Sequence, residues 1–203
     1  NPADLALYYG EMLSESEPET LSTDSLMKGM TVLLAGGRGL PTYWLAAAQK
    51  AAPEKPLIYI YLQAFKSLTP TAGVEVKPED FEKALKSLKP EQASQILAIL
   101  ESLDKEVPNL DNLLNAYDKH SGLTLENNYV MPSDGLNVLL ETAPKEKQIG
   151  ITVLAVLNSL AANPDNMYSG TVSKALNSML NVGLIEDAKQ IGAETVAGIL
   201  NKY

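Results

Sequence analysis

Residues 30–62 read MTVLLAGGRGLPTYWLAAAQKAAPEKPLIYIYL, and two folds compete for them. In the first, residues 30–35 and 57–62 are parallel strands joined by a helix over 41–52, a unit of βαβ size. In the second, all three pieces are helices. Leu57, Tyr61, Ala64, Phe65 and Leu68 recur at helical spacing, which favours the second. From residue 63 to 148 there is no further strand-like apolar run, and two parallel strands do not make a stable buried sheet. The chain is therefore read as all-α.

The glycines inside this stretch raise the question of a phosphate loop. The P-loop requires G-x-x-x-x-G-K-[ST], its lysine facing the phosphates and its hydroxyl facing magnesium. Counted from Gly36, Pro41 stands at the second glycine and Thr42 at the lysine; counted from Gly37, the occupants are Thr42 and Tyr43. The dinucleotide pattern G-x-G-x-x-G starts with Gly37 and Gly39 and ends at Thr42 without its third glycine. The simpler role is a helix stop. Gly39-Leu40, Gly122-Leu123 and Gly183-Leu184 each follow an amphipathic run. A glycine at positive φ with a leucine folded back onto the last turn ends a helix in this way.

Working outward, proline and acidic residues repeatedly open apolar-periodic runs, as in Lys77-Pro78-Glu79-Asp80 and Lys89-Pro90-Glu91. Proline suits the first helical turn, where its missing N–H costs nothing, and acids there face the positive end of the helix dipole. The pattern predicts helices over 3–14, 23–35, 41–52, 56–68, 78–88, 90–106, 109–120, 134–142, 146–162, 165–181 and 184–202. Residues 68–76 read as a loop and 123–132 as extended or irregular. About ten or eleven short antiparallel helices then form stacked hairpins, either an α-solenoid or an irregular bundle. The expected organisation is one helical domain over 1–203, with a weak subdivision into 1–122 and 123–203.

Residues 175–196, ALNSMLNVGLIEDAKQIGAETV, resemble one hairpin of the tetratricopeptide or pentatricopeptide class. Gly183, Ile185 and Ala188 fall at the turn glycine, the packing position and the small contact residue of those families. Gly192 is small enough for close helix approach. The large aromatic of the first tetratricopeptide helix is absent, with Val172 near its place, and no other segment repeats the pattern. The resemblance implies a helical-hairpin scaffold used for protein contacts.

Composition bounds the function. The 203 residues carry a net charge of −9, which repels nucleic-acid backbones and anionic membranes. There is no cysteine, which excludes disulfides, thiolate catalysis and cysteine-bound zinc. Together with the absence of an initiating methionine, this leans towards a periplasmic or secreted protein. The longest uncharged apolar run, 149–162, is shorter than the roughly 20 residues a membrane span needs. It is expected to be a buried central helix.

Three residues stand out as binding candidates. Arg38 is the sole arginine beside fifteen lysines, and its fork suits an anion or carboxylate. The competing role is a surface residue near helix carbonyls. Tyr43 and Trp44 open the next helix. Trp44, the only tryptophan, is either core or the anchor of a partner surface. His120, the only histidine, cannot build a multi-histidine metal site and suits a helix C-terminus. The pairs Glu79/Asp80 and Glu186/Asp187 belong to first helical turns, and Glu15, Glu17 and Glu19 to a solvated loop. No catalytic residue, metal site or cofactor is implied. The expected function is a non-catalytic helical scaffold or protein-interaction module within a larger protein or assembly. The alternatives are an anion- or small-ligand-binding protein or enzyme with a site near 36–44, and a structural oligomer-forming subunit.

Overall fold

A computed structural model describes residues 2–18, 21–104, 132–160 and 169–203. Ten helices run through them: α1 (Pro2–Glu15), α2 (Thr23–Ala35), α3 (Thr42–Ala51), α4 (Leu57–Leu68), α5 (Pro78–Leu85), α6 (Pro90–Leu103), α7 (Asp134–Thr142), α8 (Ile149–Leu160), α9 (Ser169–Asn181) and α10 (Ile185–Leu200). No strand occurs among the described residues, so 30–35 and 57–62 belong to helices, α2 and α4. The expected helix over 109–120, the irregular segment up to residue 131, Gly122 and His120 lie outside the described residues, as does the 122/123 boundary.

Local signals account for the helix starts. Pro78 and Pro90 occupy the first turns of α5 and α6, beside Glu79, Asp80 and Glu91. Ser22 caps α2 by accepting from the Ser25 N–H, and Ser133 caps α7 by accepting from the Leu136 N–H. Glu186 and Asp187 fall in the first turn of α10.

The stops follow one motif three times. At the end of α2 the Arg38 N–H donates to Leu33 O and the Gly37 N–H to Leu34 O. At the end of α9 the Leu184 N–H donates to Met179 O and the Gly183 N–H to Leu180 O. These paired bonds define the Schellman motif, with Gly37 and Gly183 at φ +62° and +84°. Gly183 was the expected residue. At the first stop the left-handed position is Gly37, not Gly39, because α2 already ends at Ala35. After α7 the same motif forms with Lys147 at φ +54°, its N–H donating to Pro144 O and that of Gln148 to Ala143 O.

The core centres on α4, whose Ile58, Ile60, Tyr61, Leu62, Ala64 and Phe65 are buried, while Lys66 alone of its residues is exposed and Tyr59 is half-buried. A helix apolar over most of its circumference belongs in an interior. The C-terminal helix α10 packs against α1, α2, α4, α6 and α9. In a solenoid each repeat meets only its neighbours. The return of α10 onto α2 and α4 is the behaviour of an irregular bundle. Gly192 lets α10 pack closely on α6 as well: a Cβ there would lie 2.6 Å from Leu103 Cδ1 and 3.0 Å from Ile99 Cγ2 of that helix. Ala188 is fully buried, whereas Ile185, at the supposed packing position, is 51% exposed. Between α6 and α9, Ser102 and Ser173 share a hydrogen bond of 2.8 Å, and small side chains bring the two helices together.

Candidate functional site

The glycine stretch is a packing hub. A Cβ at Gly36 would lie 3.2 Å from Ala6 of α1, and one at Gly39 would lie 2.9 Å from Pro70 O. The Gln190 side chain of α10 covers Gly37 and donates to Ala35 O at 2.9 Å. Four of the backbone N–H groups in this stretch are already committed. Those of Gly36, Gly37 and Arg38 donate to Val32, Leu34 and Leu33 carbonyls, and that of Leu40 to Thr71 Oγ1.

The three nominated side chains converge on α1. Arg38 is exposed, with its chain lying across the helix at Gly10: a Cβ there would stand 2.9 Å from Arg38 Nε. The half-buried Tyr43 donates its hydroxyl to Ser14 O. Trp44 is fully buried, its indole N–H shared between Leu13 O at 3.1 Å and Ser16 O at 3.0 Å. Its ring lies against Gly29 of α2, where a Cβ would come within 2.3 Å of it. Trp44 therefore offers no surface to a partner. With Tyr43 it donates to carbonyls in the last turn of α1 and just beyond it, where the helix leaves its C=O groups without i+4 donors.

What this seat holds is the informative part. The packed face of α1 consists of small residues, Ala6 and Gly10, with Ala3 and Leu13 half-buried beside them. Four large apolar residues point the other way. Leu5, Tyr8, Tyr9 and Met12 sit at i, i+3, i+4 and i+7 and are exposed, Tyr8 to 81% and Met12 to 61%. Exposed Asp4, Glu11 and Glu15 run along one edge of this stripe, and Leu7, 83% exposed, lies across that acid row from it. Aromatic and methionine side chains are the types enriched in protein interfaces. Periodicity alone did not find this surface, because α1 is apolar on both sides. A usable signal was the division of labour between small and large residues. A second was charge: residues 1–27 hold six acidic residues and no lysine or arginine.

A second apolar surface lies on α8, which carries no charged residue from Ile149 to Leu160. Ile151, Leu154 and Leu157 are exposed there, and α7 adds Val138 and Leu139. The expected buried central helix is thus buried on one face only, through Thr152, Ala155, Val156 and Ser159.

The described surface also carries clefts. One, of 490 Å³, lies between Pro18, Leu21 and Leu26 on one side and α3 on the other, with Tyr43 and Lys50 in its walls. A second, of 320 Å³, has Thr31 and Tyr61 beneath Lys28 and Lys55. Their hydroxyls hydrogen-bond at 2.7 Å, and burial pushes the Tyr61 phenol up to about 12. Asp24, paired with Lys55 at 3.3 Å, and Tyr203 add to the polar lining of the second cleft. Among the described residues no three His, Asp or Glu side chains are placed to hold a metal ion, and no helix is long and apolar enough to cross a membrane.

Compared with protein-family models, with curated proteins and with solved structures, the chain matches none.

Proposed function

We propose that this chain is a non-catalytic helical interaction module that engages a protein partner through the outer face of α1. One observation carries the reading: a well-seated helix turns its small residues inward and Leu5, Tyr8, Tyr9 and Met12 outward. Tyrosine supplies large contact area at modest ordering cost, methionine adapts to a partner's shape, and exposed apolar stripes on a rigid element mark binding surfaces. The packed bundle is the scaffold, and α3 with Arg38 fixes the orientation of α1.

The test compares the intact chain with its L5S/Y8S/M12S variant. All three positions are exposed, so thermal stability is expected to stay within about 0.5 kcal/mol per site. A protein retained from the native source by the intact chain is purified and titrated with both. At least a ten-fold loss of affinity in the variant is expected, and equal affinity would refute the role of α1.

The uncharged face of α8 favours a second reading, a subunit that self-associates. Light scattering over a concentration series decides it. A dimer abolished by L154K/L157K and untouched by the α1 variant would place the contact on α8 instead.

A further inference from the structure

We propose that the occupant of the α1 face is a cationic amphipathic helix, an inference that rests on the docking role proposed above. The face is one helix wide. Its four large side chains span two turns, about 10 Å along the axis. Such a seam matches the ridge of a single partner helix, whose own i, i+3 and i+4 residues would interleave with it.

Charge decides the class of helix. Asp4, Glu11 and Glu15 lie at i, i+7 and i+11, one row beside the seam, and exposed Glu17 follows just past the helix end. The first basic residue of the chain is Lys28, and Arg38 lies over Gly10 on the packed side of α1. A second copy brings the same acid-only segment. Paired antiparallel, two α1 helices would set acid row against acid row; paired parallel, each row would meet an edge with no base. Nucleic acid and anionic lipid meet the same negative field. A helix with lysines or arginines beside an apolar seam answers both parts of the surface. The acid row then governs register and association rate, which makes binding sensitive to salt.

The experiment uses the full chain and fluorescence anisotropy. Its probe is a labelled peptide of about 18 residues, leucine and lysine in helical amphipathic order. The controls are the same composition scrambled and the same pattern with every lysine replaced by glutamate. The patterned cationic peptide is expected to bind at least ten-fold more tightly than either control. E11K/E15K is expected to weaken it ten-fold or more, and so is raising salt from roughly 0.05 to 0.3 M. Circular dichroism confirms that each variant keeps the fold.

Equal binding of the glutamate peptide, with E11K/E15K silent and L5S/Y8S/M12S abolishing both, overturns the cationic class and leaves the docking role standing. Equal binding of the scrambled lysine peptide, unaffected by L5S/Y8S/M12S, shows diffuse charge attraction and overturns the inference. No binding of any peptide also overturns it, and the docking role is then judged by the purified-partner titration. A dimer lost in L5S/Y8S/M12S identifies a second copy as the occupant and overturns it as well.

Discussion

Helices α1 and α8 both show large apolar side chains to solvent, and they are built on opposite plans. α1 packs with small residues, is pinned at its C-terminal end by Tyr43 and Trp44, and borders its exposed stripe with Asp4, Glu11 and Glu15. α8 has no charge along its length and shows aliphatic Ile151, Leu154 and Leu157. Exposed apolar area is therefore not one kind of signal. An acid-edged aromatic stripe on a fixed helix can select a partner by charge and register; an uncharged aliphatic face selects by shape alone.

The comparison breaks hardest at the seat of α1. Trp44→Ala removes a fully buried indole and its hydrogen bonds to Leu13 of α1 and to Ser16 just past its end. It is expected to cost about 3–5 kcal/mol in urea denaturation; a loss below about 1 kcal/mol would show that α1 does not depend on this residue. Gly29→Ala is expected to destabilise by about 1–3 kcal/mol, because its methyl would collide with the enclosed Trp44 ring. Helix propensity alone would gain about 1 kcal/mol, so the sign of the change is the test.

On the α7–α8 side the effects are smaller. Lys147 holds φ +54° in the turn that leads into α8. Lys147→Gly relieves that conformation and is expected to stabilise the chain by about 0.5–1 kcal/mol in thermal melts. A loss of stability would show that the lysine side chain contributes there. The smallest effect concerns the Glu141–Lys174 pair, 2.5 Å apart, which joins α7 to α9. The hydrogen bond from Lys174, and then its charge, hold the Glu141 carboxyl below its ordinary value. A folded value below the unfolded one makes the contribution complete above the ordinary carboxylate range. The contribution fades as pH falls through the lowered value. Lys174→Met is expected to return Glu141 to the ordinary range in an NMR titration, and an unmoved titration would show that the pair is not formed in solution.

Among the described residues the helices were legible in the sequence to within a few residues because proline, first-turn acids and glycine punctuate them. The expected bounds 23–35 and 134–142 coincide with α2 and α7. Gly39 was mistaken for a stop because three glycines lie within four positions, and only the length of α2 decides which one turns left-handed. The helical face of α4 was legible from Leu57, Tyr61, Ala64, Phe65 and Leu68, yet the uncharged run 149–162, expected to be buried, shows one face to solvent, and α1 shows another. Periodicity reports how many faces are apolar and not which one the rest of the chain covers. The residues that hold the candidate site in place were found through their rarity, as the only arginine and the only tryptophan. Their task, seating α1, depends on contacts some thirty positions away in sequence.

The burial of Trp44 has a spectroscopic consequence. As the only tryptophan, it is the sole indole fluorophore of the chain, and it sits under the very helix whose docking is in question. Detachment of α1 would expose the ring to water and shift its emission to the red while the other helices keep their circular dichroism. The native protein thus carries its own optical gauge of whether the partner-facing helix is in place, with no label to disturb the face it reports on.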